Sequence, residues 1–167
     1  YSPLPDFAKT IVRIMNLPSE SIMPGAAEQP LLLAKGVPVA ATICYEIAFA
    51  AEQLAFFPAA QLMVNVSNDA WFGNSIAPHQ HLQIGQMRAL ETGRYLLRAT
   101  NTGITAIVDP RGTVTDRIPQ FEPGVLNAVV QPYLGATPFV TMGNCPLIAA
   151  LFVVTAIVGL PRLFAGR

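Results

Sequence analysis

Val37-Pro38-Val39-Ala40-Ala41-Thr42-Ile43 carries no charge, Cys44-Tyr45-Glu46 follows it directly, and a helix-like stretch runs on from Ile47 to Phe57. A short apolar run of this kind reads as a buried strand, so the polar triplet falls at a strand-to-helix corner. A cysteine there has its sulfur presented at the end of a sheet. Helix N-terminal amides nearby favour thiolate and bind a developing oxyanion. From position alone Cys44 has two readings, a reactive nucleophile or a small buried apolar side chain, since free cysteine is among the most buried residue types.

Outward from this corner, Leu31–Ala34 reads as a strand before it and Gln61–Val66 as an apolar buried strand after it. A polar loop leads to His79–Arg94, which has helical character with Ile84, Met87 and Leu90 at threefold spacing. Tyr95–Ala99, Ile104–Asp109 and Thr113–Ile118 read as strands, the last two joined by the turn signal Asp109-Pro110-Arg111-Gly112. Val125–Val130 reads as a final strand. Strands alternating with helices place the domain in the α/β or layered α-β class. Residues 1–30 contain five prolines and read as irregular, a loop or lid region. One helical interruption there aligns Phe7, Ile11, Ile14 and Met15, with Lys9 and Arg13 off that face. Such a segment packs on a core or lies on a membrane surface.

Composition narrows the function classes. The 167 residues carry zero formal net charge and only 12% are charged, so the electrostatic footprint of nucleic-acid binding is missing. From Pro123 to Pro161 there is no charged residue, and Cys145–Phe164 is long enough to cross a bilayer core if Arg162 snorkels. A buried core helix is the alternative. If the segment spans, Arg162 and Arg167 lie on the cytoplasmic side and everything before Cys145 on the other. The division expected is a catalytic domain over 1–137, then a linker and transmembrane helix over 138–167. Cys44 and Cys145 make a poor disulfide framework and read as free thiols. No secretory leader is visible, and a start at Tyr1 reads as the C-terminal part of something longer.

Other polar groups have ordinary explanations. His79 and His81 form an H-x-H pair, but there is no third histidine and neither cysteine has ligand spacing, so no metal site is expected. Arg88 and Glu91, at i and i+3, read most simply as a helix-surface ion pair. Glu46 suits the first turn of the following helix and also a pocket, two compatible roles. Asn68 and Asp69 are turn residues or the rim of a site. Trp71 and Phe72 are core residues in most settings, but Gly73-Asn74-Ser75 after them argues for a loop.

Three motifs occur in order: Ile43-Cys44-Tyr45-Glu46, then Asn68-Asp69-Ala70-Trp71-Phe72-Gly73, then Met87-Arg88-Ala89-Leu90-Glu91 leading to Thr100-Asn101-Thr102-Gly103-Ile104. With the terminal hydrophobic segment, they resemble the nitrilase superfamily, most closely its membrane branch, the apolipoprotein N-acyltransferases. The resemblance covers about Leu31 to Arg167. It implies the C-terminal part of a nitrilase-like αββα sandwich followed by one transmembrane helix, and a Glu-Lys-Cys triad with Cys44 as nucleophile. Tyr45 and Glu46 then support the pocket, with Asn68, Asp69 and Phe72 around it and Trp71 on a loop near acyl or lipid groups. The triad glutamate and lysine fall upstream of Tyr1, and neither Lys9 nor Lys35 has the context for the role. The implied reaction moves an acyl chain from a phospholipid, through a cysteine thioester, to the N-terminal amine of a lipid-modified apolipoprotein. It implies no metal, nucleotide or other cofactor, and a place in the bacterial inner membrane with the catalytic domain in the periplasm. The rival readings are a nitrilase-type amidohydrolase acting on a small amide, and a catalytically silent, membrane-anchored binding module.

Overall fold

The computed structural model describes residues 29–164, with side chains described through Val158. The amphipathic segment Phe7–Met15, Lys9 and nearly all of the loop or lid at 1–30 lie outside the described residues, as do the side chains of Arg162 and Arg167. Six strands form one mixed sheet in sequence order: β1 (Leu32–Ala34), β2 (Val37–Ile43), β3 (Leu62–Asn68), β4 (Leu96–Asn101), β5 (Thr105–Val108) and β6 (Val114–Ile118). The three central strands β2, β3 and β4 run parallel, and the outer pairs are antiparallel. Lys35 and Gly36 make the β1–β2 turn with φ of 49° and 83°, so Lys35 sits in a tight hairpin away from the corner at Cys44.

Register sorts the side chains into layers. Ala40, Met63, Leu96 and Val108 stand side by side across β2–β5 and are all buried, forming the apolar floor of the core. One step on, toward the C-terminal ends of the parallel strands, the same face carries Thr42, Asn65, Arg98 and Ala106. The opposite face presents Ile43, Val66 and Ala99 in register, and all three are exposed.

Between β2 and β3 a 3₁₀ turn (Cys44–Ala48) leads into the short helix α1 (Ala50–Leu54). The long helix α2 (Ala77–Thr92) connects β3 to β4 and packs its Gly85 against Leu96 and Ile47. It stops at Gly93, whose left-handed φ of 64° a glycine adopts at no steric cost. Its phase differs from the expectation: Met87 and Leu90 are 48% exposed, while His81, Leu82, Gly85, Arg88, Ala89 and Thr92 are buried. The inward face is partly polar, carrying His81, Arg88 and Thr92 among its buried residues, which hides the face from a hydrophobic periodicity. Arg88 and Glu91 do pair, at 2.5 Å, but with side chains only 11% and 18% exposed, so the pair is enclosed rather than on the surface.

Val125–Val130 is not a strand. It meets no ladder partner among the described residues, and β-propensity alone does not make a strand without one. The expected linker contains helix α3 (Pro138–Met142), capped by Thr137, whose hydroxyl accepts from the Val140 N–H at 3.1 Å and donates to the Glu91 carbonyl. Helix α4 (Cys145–Phe164) closes the described chain. Among the described residues no helix is long and apolar enough to cross a membrane, so a span over Cys145–Phe164 stays an expectation of the sequence. The described residues hold a single sheet, and the second sheet of an αββα sandwich is likewise an expectation.

Candidate active site

Cys44 sits where β2 ends, at the C-terminal edge of the three parallel strands, the edge at which open α/β sheets place their ligands. Its φ is 53°, the left-handed region that a non-glycine residue seldom occupies without support. Both cysteines are free thiols, as expected. Support for the corner comes from two sides. The Glu46 carboxylate accepts from the Ile43 N–H at 2.7 Å, bridging the residue before the cysteine to the turn after it. Glu46 thus takes the capping role, one of the two compatible roles anticipated for it. On the core side the Cys44 carbonyl accepts from Asn65 Nδ2 at 3.1 Å and faces His81 Nε2 at 3.2 Å.

These two donors belong to a buried polar network in the second layer of the sheet. Asn65 Nδ2 also donates to the Thr42 hydroxyl at 3.0 Å and the Thr42 carbonyl at 3.3 Å. Arg98 donates to Asn65 Oδ1 and, at 2.8 Å, to Asp69 Oδ2. Asp69 Oδ1 accepts from the Ser67 hydroxyl at 2.6 Å and lies 3.0 Å from His81 Nδ1. Burial pushes the Arg98 guanidinium below its ordinary value, while the charge and hydrogen bond of Asp69 and the charge of Cys44 push it back up. An unpaired charge here would be prohibitive, so the Asp69–Arg98 contact is required for either to be buried. Gly103 makes room for the carboxylate: a Cβ there would fall 2.3 Å from Asp69 Oδ2.

The anticipated residues therefore separate. Cys44, Tyr45 and Glu46 share the turn, with Tyr45 exposed and its ring edge-on to Phe49 at 5.8 Å. Asp69 is fully buried and belongs to the network, not to a rim. Asn68 is exposed and accepts from the Ala70 N–H at 3.2 Å, a turn residue. Trp71 and Phe72 lie on a 3₁₀ turn (Ala70–Phe72), with Trp71 87% exposed, so the loop reading holds over the core one. An open depression of ≈ 530 Å³ lies on the uncovered face of the sheet beside this corner, lined by Ile43, Val66, Ser67, Asn68, Ala99, Thr100 and Asn101. Among the described residues no cluster of His, Cys, Asp or Glu is suited to a metal ion.

Sequence reasoning passed over Asn65, Arg98 and the role of His81. The signal was present: Asn65 interrupts Leu62-Met63-Val64, and Arg98 interrupts Leu96-Leu97. A polar or charged residue inside a central strand must find buried partners.

The sequence pattern described as carbon-nitrogen hydrolase matches residues 10–139. This chain belongs to the carbon-nitrogen hydrolase family. Within the family, the carbon-nitrogen hydrolase chain is 47% identical over 167 residues to the apolipoprotein N-acyltransferase of Nitrosomonas europaea, covering 100% of this chain and 33% of the relative. To the protein of that name from Methylococcus capsulatus it is 47% identical over 148 residues, covering 89% of this chain and 29% of the relative. The carbon-nitrogen hydrolase chain thus spans about a third of the length of the curated relatives it matches. Among solved structures, the C. elegans NitFhit protein superposes with a TM-score of 0.51 at 23% identity, over 62% of this chain and 27% of that one. That likeness concerns the fold alone.

Proposed function

We propose that this chain carries the nucleophile of a phospholipid-to-apolipoprotein N-acyltransferase. The observation that carries the reading is the braced, left-handed Cys44 at the edge of the parallel strands, in a chain 47% identical to relatives bearing that name. In the first half-reaction the Cys44 thiolate attacks the carbonyl of a phospholipid acyl ester. Backbone amides at the corner stabilise the oxyanion, the ester C–O bond breaks, and the lysophospholipid oxygen leaves with a proton. In the second, the α-amine of a lipid-modified N-terminal cysteine attacks the thioester. An amide forms and the thiol is regenerated. A glutamate acting as base and a lysine acting as oxyanion partner, both upstream of Tyr1, complete the triad in this reading. No cofactor enters it.

The surroundings support a lipid substrate. Tyr45 and Phe49 after β2, and Trp71 and Phe72 after β3, are all exposed, and exposed aromatics suit a membrane interface. The exposed Ile43–Val66–Ala99 face is apolar in the way a sheet awaiting a second layer is, which supports the αββα sandwich. The stretch without charge from Pro123 to Pro161, ending in α4 and followed by Arg162 and Arg167, supports a membrane-spanning helix. In this reading residues 1–137 form a catalytic domain on the periplasmic side of the bacterial inner membrane, and 138–167 lead into and across it. An amidohydrolase acting on a small soluble amide has no use for the exposed aromatics or the terminal apolar helix.

The test uses the complete parent protein purified from membranes and incubated with phospholipid, followed by intact mass with and without neutral hydroxylamine. The expected result is a fatty-acyl adduct that hydroxylamine removes and that Cys44→Ala never carries. A reactive Cys44 that gains no adduct overturns the transferase reading in favour of the amidase or a silent binding module.

A further inference from the structure

We infer that His81, held by Asp69 and Arg98, is a positioning residue that aims the Tyr45 main-chain N–H at the reacting carbonyl by clamping the Cys44 carbonyl on the core side. This rests on the acyl-transfer reading and adds to it a residue with no nucleophilic or acid–base part in the reaction.

A trans peptide carries its N–H opposite its C=O in one rigid plane. Whatever holds the Cys44 carbonyl therefore also sets the direction of the Tyr45 N–H. That carbonyl faces His81 Nε2 at 3.2 Å, from the buried face of α2, and Asn65 Nδ2 at 3.1 Å, from β3. The Tyr45 N–H accordingly points away from His81 and Asn65, out of the core. The plane is held at a residue whose φ of 53° is costly, so without the clamp the peptide has a cheaper orientation to relax into. An oxyanion donor must be in place before the charge develops, which gives this rigidity its chemical value.

The imidazole is itself fixed. Nδ1 lies 3.0 Å from Asp69 Oδ1, so each ring nitrogen faces an oxygen, one on the Asp69 carboxylate and one on the Cys44 carbonyl. Asp69 is locked in turn by Arg98 at 2.8 Å and Ser67 at 2.6 Å. His81, Asp69 and Arg98 are all buried, on α2, on the loop after β3 and on β4. The Tyr45 ring lies 6.1 Å from the His81 ring, tilted at 56° to it.

Two reactions of Cys44 separate positioning from general damage. Alkylation by iodoacetamide displaces iodide and develops no oxyanion on a carbonyl, whereas acylation by phospholipid does. In the full-length parent protein, His81→Phe fills the ring's space and removes both ring nitrogens. Its Cys44 alkylation rate, resolved from Cys145 by peptide mass, should stay within about threefold of wild type, while thioester formation falls about 10²-fold, the usual effect of losing one oxyanion donor. His81→Gln removes the ring but leaves the buried Asp69–Arg98 pair intact, and should lower thioester formation by about tenfold on the same scale. It carries the test alone if the phenylalanine variant does not accumulate in membranes. Thioester formation near the wild-type rate, or alkylation falling in step with it, overturns the inference. A wild-type protein that forms no thioester at all overturns the acyl-transfer reading instead.

Discussion

At the scale of single residues, the site depends on close approach between groups that are far apart in sequence. Gly103 lies against Asp69, and the clearest consequence is steric. Gly103→Ala would drive a methyl to 2.8 Å from the Asp69 Cβ and closer still to its carboxylate. Asp69 is held by three partners and cannot swing aside, so overpacking of this kind should cost about 1–3 kcal/mol. Thermal unfolding of the full-length variant should show that loss, together with a drop in thioester formation, because a displaced Asp69 releases both His81 and Arg98. A variant with wild-type stability and activity would mean that the contact is looser than the geometry indicates. Asp109 offers a second test, read through pH. Burial pushes its carboxyl up, but the N–H groups of Thr113 and Arg111, each 2.8 Å from Oδ1, and the Arg111 guanidinium outweigh burial and hold it below the usual value. A carboxyl lowered in the folded state contributes stability above its unfolded value and loses it as pH falls through the folded one. Asp109→Asn should therefore be less stable than wild type near neutrality, by about 1 kcal/mol, with the gap closing in acid. Denaturant midpoints at pH 7 and at a pH below the carboxylate range check the sign.

At the scale of elements, α2 separates what a hydrophobic pattern reveals from what it hides. The strands β1 to β6 were legible because apolar runs and turn signals bound them, and Asp109-Pro110-Arg111-Gly112 does form the β5–β6 turn, with the Gly112 N–H donating to the Asp109 carbonyl at 2.9 Å. The existence of α2 was legible too. Its phase was not, because His81, Arg88 and Thr92 point inward, where His81 meets Asp69 and the Cys44 carbonyl and Arg88 pairs with Glu91 on the same helix. Thr92 donates to the Arg88 carbonyl at 2.7 Å and contacts the Met63 sulfur at 3.3 Å. The same blindness extends to the site. Cys44 could be picked out by its corner, but the network behind it joins β2, β3, β4, α2 and the loop after β3, and no local window contains that pairing. The corrected phase has a direct test. Leu82→Ala, on the buried face, should cost about 2–5 kcal/mol, whereas Met87→Ala should fall within about 0.5–1 kcal/mol of wild type. Equal losses in chemical denaturation would contradict the orientation of the helix.

At the scale of the whole molecule, the apolar tail follows the sheet by way of α3. The membrane reading of that tail can be examined in isolation. Residues 138–167 fused to a soluble reporter should carry it into membranes that resist alkaline carbonate, and Phe152→Arg, near the middle of α4, should weaken insertion by about 2.5–3.5 kcal/mol. A reporter recovered in the soluble fraction would exclude the span. The join between tail and sheet is built around Arg94, whose guanidinium donates to the Ala60 carbonyl at 2.8 Å and the Gly135 carbonyl at 2.6 Å and lies 5.6 Å from the Phe57 ring centroid. Arg94 stands just before β4, at the N-terminal end of the parallel strands, whereas Cys44 stands at their C-terminal end. If the tail is anchored in a bilayer, its tether is moored at the end of the sheet opposite the thiol, so any pull from the membrane would enter the fold a full strand length from Cys44.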